Sequence, residues 1–153
     1  MTLENYIASL KGLKSNIPKK VDEIIIKNKQ FIVGMLKQRL YIYGTDGNYD
    51  LIGQYAKNTL AIKKANNQKT DFITLRDTGR FYAGMYLDVS NNEYSIDSTD
   101  WKTALLVDVY GPAIPELTYN QLTDIIQNII EPELQKYLDE LTNEISIDLW
   151  AYI

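Results

Sequence analysis

The sequence contains no cysteine and no histidine, and these two absences exclude several kinds of chemistry. Without cysteine the chain forms no disulfide, has no thiol nucleophile and provides no thiolate for a structural zinc site. Without histidine it lacks the commonest general base and the commonest transition-metal ligand. Catalysis would have to rely on carboxylates, lysines, tyrosines, serines and threonines. We therefore expect neither a metal site nor a bound cofactor.

Clustered positive charge and long apolar runs are missing as well. The formal net charge is −4, and adjacent lysines form pairs, such as Lys19-Lys20 and Lys63-Lys64, and no larger cluster. Nucleic-acid binding needs clustered cations, so no nucleic-acid partner is expected. No stretch of 18 apolar residues is present, and residues 1–4 are not a basic region leading into an apolar one. We therefore expect neither a membrane span nor a signal peptide.

What the chain does have is the length and apolar content of one packed domain. Its 153 residues are 45% hydrophobic, which is enough to bury a core, and they contain no internal repeat. A single domain over residues 1–153 is the prediction. Twelve residues are tyrosine. A tyrosine ring with one polar tip suits both the edge of a core and a protein interface, so both interpretations stay open.

Three segments have apolar residues at helical spacing, and they cover residues 3–13, 18–40 and 118–145. The sequence Ser15-Asn16-Ile17-Pro18 predicts a break between the first two, with Pro18 opening the second helix.

The third helical segment has a start signal and an internal breaker. Thr118 followed by Gln121 predicts a capping box at its start. Pro132 lies inside the apolar pattern and is expected to kink or split the helix near Ile130. This is the longest helix of the prediction.

Between these helices the pattern changes to that of a small sheet. Residues 72–97 combine apolar runs with a polar hairpin turn at 90–93, and residues 101–110 form an amphipathic run that stops at Gly111. The predicted class is α+β. Three to four helices, including the long kinked C-terminal one, pack on a small antiparallel sheet, and helix 101–110 closes one side.

Two segments are not explained by the predicted helices and sheet. Residues 44–71 form a loop that is long for a compact domain, and such loops tend to be functional or disordered. Residues 147–153 form an apolar, aromatic tail that either folds back on the core or docks on a partner. Both segments are candidate interfaces.

Three acidic motifs are candidates for chemistry, and each is better explained as local structure. The run Asp46-x-Asn48-x-Asp50 begins like a calcium loop but lacks the glycine and the final glutamate that such a loop needs. A turn rich in Asp and Asn is the simpler interpretation. Asp97 and Asp100 form a carboxylate pair near Trp101, yet residues 98–100 are typical helix caps.

The third acidic motif is Asp77-Thr78-Gly79, which matches the aspartic-protease triplet. That chemistry needs a second such triplet, and the chain has none. An exposed turn is therefore predicted, flanked by Arg76 and Arg80.

This turn also carries a resemblance to a known group of proteins. Leu75-x-Asp77-Thr78-Gly79-x-Phe81 followed by Gly84-Met85-Tyr86 resembles a pattern in neck and tail-completion proteins of tailed bacteriophages, also called virion morphogenesis or minor tail proteins. Residues 52–55, with Thr59 and the Lys63-Lys64 loop, look like the versions in phages of Bacteroides-type hosts. The resemblance covers residues 44–117. Gly84 stands where the pattern often has serine.

The resemblance implies a fold and a role. The turn would lead into strands at 82–89 and 93–97 and then into helix 101–111. The chain would be a non-enzymatic virion protein that forms a homo-oligomeric ring at the head–tail connector, in contact with the portal or neighbouring neck and tail proteins. The residues expected at these contacts are Tyr49, Tyr55, Arg76, Arg80, Leu149, Trp150, Tyr152 and Ile153.

Two other functions remain as alternatives. One is a phage-encoded binding module that acts as a monomer or dimer on a host or phage protein. The other is a carboxylate-based hydrolase with two acids across a cleft. The first would be recognised by a small mass and absence from particles, the second by a deep pocket that holds two acids.

Overall fold

The computed structural model describes residues 3–90 and 93–150, and its side chains are described at positions 7, 8, 11, 12, 14–90 and 93–143. The chain is an α+β protein, as the sequence predicts. Its described residues form two compact units. One contains residues 29–122, and the other contains the residues up to Asn28 together with those from Thr123 onward.

The elements follow one another in a simple order. The helices are α1 (Leu3–Lys27), α2 (Lys29–Ile42), α3 (Lys57–Ala65), α4 (Arg80–Gly84), α5 (Thr103–Tyr110), α6 (Tyr119–Ile125) and α7 (Glu131–Trp150), and a π-helical turn (Ile126–Ile130) joins the last two. The strands are β1 (Met85–Ser90) and β2 (Glu93–Ser98).

The unit made of residues 29–122 is built around α2 and the β-hairpin. The two strands pair antiparallel from Met85 opposite Ser98 to Ser90 opposite Glu93. A cluster of buried apolar side chains joins α2, α4, β1 and the segment after α5, and consists of Val33, Leu36, Leu40, Phe81, Met85 and Ile114. The sheet is smaller than predicted, because residues 80–84 are helical and residues 72–79 are not in a strand.

In the other unit, α1 and α7 run antiparallel. Lys27 near the end of α1 is 2.7 Å from Glu133 at the start of α7. Lys20, earlier in α1, lies over the ring of Tyr137, later in α7. Ile24 and Ile25 of α1 are buried in this unit, so the apolar face of α1 is packed there.

The predicted break at Pro18 is wrong, because α1 runs through that residue. A proline removes one backbone donor, and the turns on either side of it can still carry the helix. The break comes instead at Asn28, inside the predicted helix 18–40. There the Asn28 side-chain amide donates to the Ile24 carbonyl oxygen at 2.8 Å, and the Asn28 backbone amide donates to the carbonyl oxygens of Ile24 and Ile25 at 3.2 and 3.1 Å.

The C-terminal helical segment follows its sequence signals more closely. The Gln121 amide donates to the Thr118 hydroxyl at 3.2 Å, and the Thr118 amide donates to Gln121 Oε1 at 3.1 Å. This reciprocal pair is the predicted capping box. The predicted interruption near Ile130 takes the form of the π-helical turn directly before Pro132, in which the Glu131 amide bonds to the Ile126 carbonyl oxygen. The helix then continues to Trp150, beyond the predicted end at 145.

The predicted loop 44–71 is more ordered than the sequence indicates. It contains α3 and a bridge between Thr45 and Leu51. Asp46 Oδ1 accepts from the amides of Asn48 and Asp50, so this run is a closed Asx-type turn, as predicted.

Arg39 fixes this region to the rest of the unit. It is only 4% exposed, and its guanidinium donates to the carbonyl oxygens of Thr45, Ile114 and Glu116 and to Gln121 Oε1. Burial lowers the pKa of Arg39, because removal from water disfavours the cation, and the nearby carboxylates of Asp46 and Glu116 oppose this shift. A single side chain therefore joins α2 to the loop that follows it and to the segment between α5 and α6.

Gly84 is explained by the contacts at the end of α4. A Cβ at this position would lie 2.7 Å from Thr99 Oγ1 and 2.8 Å from Ser98 Oγ. Ser98 is held in place because its hydroxyl donates to the Phe81 carbonyl oxygen at 2.8 Å. The serine that is frequent at this point of the phage pattern would not fit here without a shift of these neighbours.

Candidate interaction surface

Helix α5 carries an exposed apolar face in the unit 29–122. Trp101, in the turn before the helix, is 74% exposed, and Leu105 and Val109 are 56% and 59% exposed. Residues spaced by four lie on one face of a helix, so these three side chains form a continuous line. We call this line the α5 stripe. Isolated exposed apolar residues are ordinary, whereas contiguous patches mark interaction sites.

The α5 stripe is held firmly in place. On the opposite face of α5, Leu106 and Tyr110 pack against the core cluster. Before the helix, the Asp100 carboxylate accepts from the Lys102 amide at 3.1 Å, and the Thr103 hydroxyl donates to the Asp100 carbonyl oxygen at 2.6 Å. These bonds fix the turn that presents Trp101. The predicted cap at residues 98–100 is wrong, because α5 begins at Thr103 with Lys102 as its N-cap and without a side-chain cap bond, and Asp100 instead closes the turn before the helix.

Beside α5 lies a cleft of about 310 Å³, which is bounded by α3, residues 73–81 and α5. Apolar side chains line part of it, among them Ile62, Phe81 and Leu106. The cleft also has four basic side chains and two acidic ones, which are Lys63, Arg76, Arg80, Lys102, Asp77 and Asp100. In a chain with a net charge of −4, this is a locally positive site.

A buried polar network forms one wall of the cleft. Lys63 is 6% exposed, and its ammonium donates to the Arg76 carbonyl oxygen at 2.9 Å and to Gln68 Oε1 at 3.1 Å. The same ammonium lies 4.8 Å from the centre of the Tyr55 ring. The bond to the Arg76 carbonyl oxygen ties α3 to residues 73–77, so Lys63 has a structural function in the wall.

Thr74 is the second centre of this network. Its amide donates to the Tyr55 hydroxyl oxygen at 2.9 Å, and its carbonyl oxygen accepts from the Tyr82 hydroxyl. Burial raises the pKa of Tyr82, because the interior disfavours the phenolate. The hydrogen bond from the Tyr82 hydroxyl holds Thr74 in position.

Each of the two acids of the cleft has another partner. Asp77 is exposed and lies 3.6 Å from the Lys102 ammonium, and Asp100 is engaged in the turn before α5. The triplet Asp77-Thr78-Gly79 is the exposed turn that the sequence predicts, with Gly79 at a φ of +86°. Among the side chains that the structure describes, no group of three acids forms a metal site. Across residues 3–90 and 93–150, no helix has the length and apolarity that crossing a bilayer requires.

The predicted interface residues fall into three groups. Tyr55, Arg76 and Arg80 all line the cleft. Tyr49 is half-exposed in the turn at 46–50, has a φ of +68° and does not line the cleft.

The remaining predicted contacts belong to the C-terminal segment. Leu149 and Trp150 are in the helical backbone of α7, and their side chains lie outside the described part of the chain. Tyr152 and Ile153 lie outside the described residues altogether.

Sequence reasoning missed the α5 stripe and Arg39. The spacing of Trp101, Leu105 and Val109 is visible in the sequence, but Leu106 and Tyr110 have the same spacing on the other face. A helix that is apolar on two faces gives no sign of which face is exposed. Arg39 gave no signal, since nothing local distinguishes a buried arginine from an exposed one.

Comparisons with known proteins add no relative to this description: no family model, no curated protein and no solved structure matches the chain.

Proposed function

We propose that the protein is a structural subunit of a tailed-bacteriophage particle, which forms a homo-oligomeric ring at the head–tail connector or tail-completion position. The observation that carries the proposal is the α5 stripe. Three large apolar side chains, each more than half exposed, form one line on a helix whose other face is anchored in the core. In a ring, such a line would be covered by the neighbouring copy or by an adjacent neck protein.

The arrangement of surfaces also supports a ring. Neighbours in a ring meet through two different surfaces, since each subunit contacts one neighbour at its front and another at its back. The unit 29–122 has the α5 stripe and the positively charged cleft, which are two surfaces of different chemistry. The Leu75–Tyr86 pattern, which carries the resemblance to phage neck proteins, contributes residues to the wall of that cleft.

Mass spectrometry of purified particles tests this function. We expect the chain to remain with the particles through density-gradient purification and high-salt washing. We also expect the same small number of copies per portal ring in independent preparations, because a ring has fixed stoichiometry. A chain that is abundant in infected cells but absent from washed particles would contradict the proposal and favour the binding module that acts on a host or phage protein.

A further inference from the structure

We infer that the cleft beside α5 binds the C-terminal segment, residues 144–153, of a neighbouring copy of the chain. This inference rests on the proposed function and names the contact that would join one subunit to the next. The occupant is identified by the chemistry of the cleft and by the composition of the segment.

The charge of the cleft selects an acidic partner. It has four basic side chains against two acidic ones. The Lys63 ammonium is bonded to the Arg76 carbonyl oxygen, and Lys102 pairs with Asp77. Arg76 and Arg80 are therefore the cations of the cleft that can pair with an acidic partner. Arg76 and Arg80 are both exposed, and Arg76 stacks 5.0 Å from the centre of the Tyr41 ring, which limits its rotation.

The lining of the cleft selects a partner that is apolar as well. Ile62 is 62% exposed beside the cleft, and Phe81 and Leu106 line it further in. A volume of about 310 Å³ is at the lower end of ligand sites and suits one or two large side chains. A short segment with an aromatic anchor and a nearby carboxylate fits this combination.

Residues 144–153 have that composition. The segment contains two acids, Glu144 and Asp148, and neither lysine nor arginine. It also contains six large apolar or aromatic residues, which are Ile145, Ile147, Leu149, Trp150, Tyr152 and Ile153. Its formal side-chain charge of −2 is complementary to the cleft. Aromatic residues such as its Trp150 and Tyr152 are enriched at the centre of interfaces.

Photo-crosslinking of the full chain tests the assignment. One preparation, labelled with ¹⁵N, carries Tyr152→p-benzoylphenylalanine, an aromatic replacement in the segment, and the other is unlabelled and otherwise unchanged. The two are mixed, irradiated and digested, and the linked peptides are sequenced. We expect most mixed-isotope links to join the C-terminal peptide to peptides from residues 55–81 and 100–110.

A second experiment reverses a charge of the cleft in the unlabelled chain and measures the yield of mixed-isotope links. Arg80→Glu should lower the yield of mixed-isotope links about fivefold, because it places a carboxylate opposite the acidic segment. Asp148→Lys in the labelled chain should restore much of the yield with this variant. Lys57→Glu is the matched control. It makes the same kind of change on α3, at an exposed residue that does not line the cleft, and it should leave the yield unchanged within about twofold.

The possible failures separate this inference from the proposed function. Links within one chain, links to other surfaces, or equal effects of Arg80→Glu and Lys57→Glu would each overturn the inference. If particles nevertheless contain the chain at fixed copy number, the proposed function stands and only the contact is wrong. If the chain is absent from particles, both are wrong.

Discussion

Replacing Arg39 by methionine should destabilise the unit 29–122 by about 3–5 kcal/mol, the largest stability effect that we expect of a single side chain here. Methionine keeps much of the apolar stem but removes every donor. The carbonyl oxygens of Thr45, Ile114 and Glu116 then lose a charged partner in a buried position. Each buried acceptor without a partner costs about 1–3 kcal/mol.

Urea denaturation followed by circular dichroism measures this effect as a lower midpoint with an unchanged slope. Arg39→Lys should recover less than half of the loss, since one ammonium cannot reach acceptors that the planar guanidinium bonds in several directions. Arg80→Met is the control, because Arg80 is exposed and should change the midpoint little. A midpoint for Arg39→Met close to that of Arg80→Met would contradict the account of the buried network.

Replacing Leu105 by lysine should exclude the chain from particles while leaving its fold intact, and this is the largest functional effect that we expect. Leu105 is 56% exposed in the free chain, and leucine and lysine have similar helix propensities. The free chain therefore loses little stability, whereas an interface that covers the α5 stripe would have to bury an unpaired ammonium. Loss of a central contact of this kind weakens binding by about 30-fold or more.

Quantitative mass spectrometry of particles assembled with the variant measures its copy number against the parent chain. Phe31→Lys is the matched control, since Phe31 is 59% exposed on α2 and lies outside the α5 stripe and the cleft. Equal incorporation of the Leu105→Lys and parent chains would show that the stripe is not a contact surface.

Local signals predicted much of the secondary structure correctly. The capping box at Thr118 and Gln121, the helix that ends before Gly111 and the turn at Asp77–Gly79 all depend on residues within a few positions of one another. Such short-range chemistry is present in the sequence itself. The interruption before Pro132 belongs to the same group, because a missing backbone donor has a local effect.

The errors concern where helices begin and end. Pro18 is a strong breaker in isolation, yet α1 continues through it and ends at Lys27. Helix α3 lies in a polar stretch, and its residue Lys63 bonds to the Arg76 carbonyl oxygen, 13 residues further along the chain. A contact of that range has no signal in the local pattern.

The candidate surfaces were predictable to a similar extent. Tyr55, Arg76 and Arg80 were expected at contacts, and they line one cleft, although their positions along the chain do not indicate that they meet. The α5 stripe was not predicted, because which of two apolar faces is exposed depends on what the rest of the fold covers. The sequence therefore predicted individual contact residues, three of which line one cleft, but it did not predict which residues lie together on a surface.

The central claim is that the α5 stripe is covered by other subunits in the assembled particle, and hydroxyl-radical oxidation of Trp101 tests it most directly. In the free chain Trp101 is 74% exposed and should react rapidly. In particles we expect its oxidation to slow at least about fivefold, since the core of an interface excludes water. Tyr43, which is exposed and lies outside the α5 stripe and the cleft, serves as the internal reference and should keep its rate within about twofold. Equal oxidation rates of Trp101 in the free chain and in particles would contradict the account.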